Sequence, residues 1–144
     1  MTSLYPRSPH VQLGGLAHLA RMIDKIRLRR AGHIQDYNYL TVGFDKHLLD
    51  FLELDASAFE QRVCAGGPDG EIVEWVLAHM RSRSQEEIAQ WNQRITTSGP
   101  KDDAAHARFQ RRLEEIAKKR GVQVSALPRV TTWADVIELD EDRL

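Results

Sequence analysis

The chain has little of what braces a protein covalently or through a metal. Cys64 is the one cysteine among 144 residues, which excludes an intrachain disulfide and any cysteine cluster for zinc or iron–sulfur. Long apolar runs are also missing. The longest stretch without a charged side chain, Ser8 to Ala20, is thirteen residues and includes two glycines, a proline and two histidines, well short of the roughly 18 to 20 apolar residues of a spanning helix. Met1 to His10 carry neither a basic n-region nor an apolar h-region, so no secretory signal is expected. These absences point to a soluble cytoplasmic protein with no membrane partner.

An excess of charge of one sign is the next thing lacking. Twenty basic and twenty-one acidic side chains leave a formal charge of −1, which speaks against a nucleic-acid partner, because neutralising phosphates takes a basic surplus. The first 52 residues are slightly basic, mainly through Lys25, Arg27, Arg29 and Arg30, a surplus too small to act as a polyanion footprint. With 42% hydrophobic residues, a chain of this length can bury about 68–70% of its unfolded surface without a metal or disulfide.

What is present reads as helices joined by short loops, an all-α fold in a single compact domain of six or seven helices. Residues 1–14 are expected to be an extended lead-in, 15–100 the main helical body, and 101–144 a long helix with a C-terminal segment. Ser8-Pro9 and Gly14-Gly15 keep the opening extended. Leu16, Leu19, Ile23 and Ile26 recur at helical spacing, predicting a helix from Leu16 to Ala31 that Gly32 ends.

Tyr37 to Phe44 reads as an ordered loop. Asp45 is expected to cap a short helix ending near Glu53, and Asp55 the next. The helix from Asp69 to about Ser82 carries Ile72, Val73, Trp75, Val76, Leu77 and Met80 on more than one face, the mark of a buried helix. Ser84-Gln85-Glu86-Glu87 is a capping box, and Gly99-Pro100 stops its helix. Asp102 to Arg120 is the longest helical candidate, closed by Gly121, and Thr132 can cap a last short helix. Trp75, Trp91 and Trp133 fall at apolar positions and are expected in the core.

One helix face carries the most suggestive polar set. At 100° per residue, His18, Arg21 and Lys25 lie within about 60° of one another, and Asp24 sits beside Arg21, able to pair with Arg21 or Arg27. A histidine, two cations and a carboxylate on one face can bind an anion or move a proton; a solvated face with ordinary pairs is the plainer account. Leu28 among them implies cover by another segment or a second subunit.

Gly14-Gly15 before this helix lacks a preceding strand, a GxGxxG and a GxxxxGK[ST], so it reads as a tight turn and not a phosphate loop. No metal site is expected, since His47 and Asp50 alone are spaced to present two ligands together. No cofactor is expected either. Serine-hydrolase signatures are absent, and Cys64 has no histidine or lysine neighbour in sequence.

Several strings resemble a known family. Pro6-Arg7-Ser8-Pro9, Leu13-Gly14-Gly15 and Leu19-Ala20-Arg21-Met22-Ile23-Asp24-Lys25-Ile26-Arg27 resemble the opening of the bacterial family catalogued as domain of unknown function 5069. Asp50 to Asp55, Glu74-Trp75 and Glu86 to Asn92 are similar to it too. The resemblance implies a small bacterial domain and carries no reaction, substrate or cofactor.

Two functions follow from the residues. The first is a non-catalytic helical module working through protein contacts, with a second copy of itself as the partner in a homodimer. The alternative is a small-molecule binder or enzyme for an anionic metabolite, using His18, Arg21, Asp24 and Lys25, with Tyr37 or Tyr39 closing the site.

Overall fold

The computed structural model describes residues 5–144; the first four residues of the expected lead-in lie outside the described residues. The fold is helical, as its periodicity demands. Its elements are β1 (Gln12–Leu13), β2 (Leu16–Ala17), α1 (Leu19–Arg30), α2 (Gly43–Leu52), α3 (Ala56–Cys64), α4 (Asp69–His79), α5 (Gln85–Thr97), α6 (Asp103–Arg120), a short 3-10 turn (Val124–Ala126) and α7 (Trp133–Asp140). Contacts group these into two compact units, residues 1–95 and 96–144.

The first unit opens with a hairpin that the periodicity of Leu16 and Leu19 hides. Gln12 pairs with Ala17 and Leu13 with Leu16, antiparallel. Gly14 and Gly15 form the turn with φ of 60° and 81°, the positive pair that a two-residue type I′ hairpin requires. Leu16 and Ala17 are therefore strand, and the helix begins at Leu19 instead of Leu16. Two residues of α5 hold the hairpin in place. Asn92 Oδ1 accepts from the Ala17 amide at 2.8 Å, Asn92 Nδ2 donates to the Gly15 carbonyl at 2.9 Å, and Trp91 Nε1 donates to the Ala17 carbonyl at 3.0 Å. Gly32 ends α1 in a Schellman turn, in which His33 N bonds Leu28 O and Gly32 N bonds Arg29 O.

The more deeply buried helix is α1, not α4. Leu19, Ala20, Arg21, Met22, Ile23, Lys25 and Ile26 are all buried, whereas α4 buries only Ile72 and Val76 and leaves Leu77 54% exposed. Apolar count alone misidentifies the central helix, because α1 buries charged side chains among its hydrophobic ones. Around it pack Leu48, Leu52, Phe59, Val63, Ile72, Trp91 and Ile95. Trp75 is half-buried and stacks on His79.

Caps set most other boundaries. Asp55 accepts from Ala58 N at 2.9 Å. Ser84 Oγ and Glu87 exchange bonds with each other's amides at 3.1 and 3.0 Å, closing the capping box.

In the second unit, Asp102 caps α6 through Ala105 N at 2.7 Å and Thr132 caps α7 through Asp135 N at 3.1 Å. Phe109, Ile116, Val136 and Leu139 form its core, with Trp133 packed edge-on against Phe109. Among the described residues, no helix is long and apolar enough to cross a membrane.

Candidate functional site

The candidate site forms where α1 begins. His18 precedes the helix with φ of 75°, a left-handed conformation that is uncommon for a residue with a side chain. An N-cap residue normally sits in the extended region and turns its side chain back onto the helix amides. His18 makes no such bond. Its ring turns inward, is 1% exposed, and meets Asp45, with Nε2 at 2.6 Å from Oδ1.

Asp45 is the residue that the sequence places wrongly. The sequence reads it as the cap of α2, yet that helix starts at Gly43 behind Val42, and Asp45 sits inside its first turn, fully buried. Its carboxylate gathers three donors. Oδ1 takes His18 Nε2 and Lys25 Nζ, the latter at 3.1 Å, and Oδ2 accepts the Leu40 amide at 3.0 Å. Lys25 Nζ also donates to the Asn38 carbonyl at 3.1 Å. One carboxylate thus ties α1, α2 and the intervening loop together.

The electrostatics follow from these contacts. Burial alone would push the Asp45 carboxyl upward, but the His18 hydrogen bond, the Lys25 charge and the Leu40 amide outweigh it and hold it at about 2. For His18 the balance runs the other way. Burial pushes the imidazole below its ordinary value of 6.5, the Lys25 and Arg21 charges add to that, and the Asp45 bond opposes it. His18 is accordingly neutral at pH 7. An ionised carboxylate has no proton to give, so Nε2 carries the ring proton and Nδ1 holds the lone pair. That Nδ1 is buried and has no hydrogen-bond partner among the described residues. Phe44 packs edge-on against the ring at 5.6 Å.

Three of the four residues singled out on this face come together. His18, Arg21 and Lys25 are all buried, at 1%, 3% and 6% exposure, so the face is covered by the chain's own segments and is not a solvated surface. Arg21 NH1 donates to the Arg7 carbonyl at 3.3 Å, and its guanidinium lies 5.9 Å from the Tyr37 ring. Tyr37 therefore borders the site. Tyr39 does not: its hydroxyl binds Glu60, and Arg29 lies over its ring at 4.3 Å.

Asp24 departs as well. It pairs with neither Arg21 nor Arg27 but receives Arg7, through the backbone amide and Nε at 2.8 Å each and NH2 at 3.0 Å. Arg7 NH1 continues to Asp69 at 2.9 Å, and Arg27 takes the other Asp69 oxygen at 2.8 Å. This four-residue chain, with the bond from His18 N to Pro9 O at 3.0 Å, lays the lead-in across the start of α1. The Pro6-to-Pro9 string thus acts as a strap.

The remaining sequence candidates stay apart. Asp50 pairs with Lys46 at 2.5 Å, and His47 is exposed. Among the described residues, no three of His, Cys, Asp and Glu converge in a way that could hold a metal. Cys64 is a half-buried free thiol.

The carboxylate–histidine pair is an arrangement that orients an imidazole and fixes its tautomer, here with two cations beside it. No curated protein matches the chain. The profile of one family does, over residues 3–143, and the chain belongs to that family, described as domain of unknown function (DUF5069).

Proposed function

We propose that the protein binds a small anionic metabolite at the start of α1 and uses His18 as a proton acceptor there. The observation that carries this reading is the His18 Nδ1 lone pair, held inside the protein without a hydrogen-bond partner among the described residues while Asp45 fixes the other nitrogen. A buried polar atom left so is costly, and the left-handed backbone at His18 adds strain of the kind that clusters at functional positions. Arg21 and Lys25 supply positive charge beside the ring, suited to an anion whose acidic O–H can donate to Nδ1. A cytoplasmic setting suits a chain whose only cysteine is a free thiol.

The test is calorimetric titration with a panel of small carboxylates and phosphate esters. A ligand present at 100 times its Kd should stabilise the protein by about 2.7 kcal/mol. His18→Gln and Arg21→Gln, checked for folding by circular dichroism, should each weaken binding at least tenfold. A ligand whose affinity neither variant changes would place its site elsewhere.

A second reading, self-association into a homodimer through protein contacts, is favoured by one feature. Leu77 stands 54% exposed on α4, one turn from half-buried Val73. Sedimentation equilibrium should then show a dimer that Leu77→Glu dissociates; a monomer at high micromolar concentration removes that reading.

A further inference from the structure

A second place on the molecule is shaped for an anion, and it lies away from His18. The C-terminal half of α1, the end of α3 and the loop before α4 border an open cleft of about 320 Å³, its lining made by Ile26, Arg27, Arg30, Val63, Cys64 and the Gly66-Gly67 turn. Its floor is apolar, because Ile26 and Val63 lie beneath it. Its rim is cationic.

The arginines are set there by the loop's own carbonyls. Arg30 NH1 donates to Cys64 O at 3.0 Å, Arg62 NH1 to Gly66 O at 2.8 Å, and Arg27 NH2 to Gly67 O at 3.1 Å. These bonds fix the guanidinium groups of Arg27 and Arg30 at the opening, while Arg62, outside the lining, ties the loop down beside it. Two of them also meet carboxylates, Arg27 with Asp69 at 2.8 Å and Arg62 with Glu71 at 3.7 Å. Arg30 makes no ion pair among the described residues, and its fork has donors beyond the one that Cys64 O receives. At Gly66 a Cβ would meet nothing within 4 Å, so the wall is open there, whereas at Gly67 it would lie 2.5 Å from Glu71 Oε2.

We infer that this cleft binds a small organic anion, its carboxylate on Arg30 and Arg27 and a short apolar body over Ile26 and Val63. A volume near 300 Å³ is at the small end of ligand sites, enough for a body of a few carbons. An inorganic anion would use the rim but gain nothing from the floor. The inference stands apart from the His18 reading, because the two sites share α1 but no residue.

The experiment is a two-dimensional amide NMR titration of the full chain with straight-chain carboxylates from acetate to hexanoate, with inorganic phosphate and chloride as comparisons. With nine glycines in the chain, the Gly66 and Gly67 signals are readily assigned. Both should shift saturably, with affinity rising at least tenfold from acetate to pentanoate and phosphate no tighter than acetate. Arg30→Gln should weaken pentanoate at least tenfold and Arg30→Lys less, with other signals in place to report an intact fold. His18→Gln should leave the titration unchanged. Shifts linear in concentration and equal for chloride, affinity independent of chain length, or equal affinity in Arg30→Gln would each overturn the inference.

Discussion

At the scale of the residue, Asp45 decides how the first unit holds together. It is a carboxylate in the interior that receives an imidazole, an ammonium and an amide. Removing one partner of a buried charge pair usually costs about 3–5 kcal/mol, because the other charge is left without compensation. Asp45→Asn keeps the shape but strands Lys25, and should destabilise the protein by about that much in urea unfolding. Lys25→Met leaves the carboxylate with the His18 and Leu40 bonds, so its cost should be smaller. Equal and slight effects of both would mean that the ammonium is not buried as described. None of this is visible along the chain, since His18 and Asp45 are 27 positions apart and an aspartate two residues after a glycine looks like a cap. His18, Arg21 and Lys25 could be grouped because they share a helix, where angle follows from residue number.

At the scale of the element, local chemistry was readable and context was not. The caps by Asp55, Ser84 and Thr132 stand where the sequence places them, because each bond spans three residues and needs no partner from elsewhere. The hairpin is not legible in the sequence, because Leu16 and Leu19 fit a helical stripe as well as a strand end. What separates the two is Asn92 and Trp91, more than 70 positions away.

Gly14 and Gly15 give a graded test of that hairpin. Both have positive φ, but a Cβ at Gly14 would lie 2.7 Å from Val73 Cγ1, whereas at Gly15 it would meet nothing within 4 Å. Gly15→Ala should therefore cost about 1–2 kcal/mol, the left-handed penalty alone. Gly14→Ala should lower the melting temperature further, as Val73 must shift. A larger loss at Gly15 would contradict the turn described. Ser84→Ala should cost about 1 kcal/mol through the lost cap.

At the scale of the whole molecule, the charges predict how stability responds to acid. His18 in the folded protein titrates below the 6.5 of an ordinary histidine. The unfolded chain therefore takes up a proton first, and stability present above pH 6.5 is lost as pH falls below it. Asp45, held at about 2 against an ordinary 3.8, adds a second loss as pH falls from about 3.8 toward 2. Both act in the same direction. The free energy of unfolding should thus decline from pH 7 to pH 5, by up to about 1.4 kcal/mol per pH unit for one proton, denaturant midpoints should fall with it, and His18→Gln should flatten that interval. A midpoint rising toward pH 5 in the natural protein would reverse the assigned sign. The helical class was legible because helix stripes, caps and terminating glycines recur along the whole chain. Which helix lies at the centre of the first unit was not, because burial of Arg21 and Lys25 depends on carbonyls and a carboxylate supplied by other segments.

The most direct test of the His18 centre is a long-range ¹H–¹⁵N NMR titration of the six histidine rings from pH 8 to pH 5. The account predicts that His18 carries its proton on Nε2, leaves Nδ1 unprotonated, and stays neutral below pH 6.5. A His18 ring that titrates at or above 6.5, or that carries its proton on Nδ1, would contradict it.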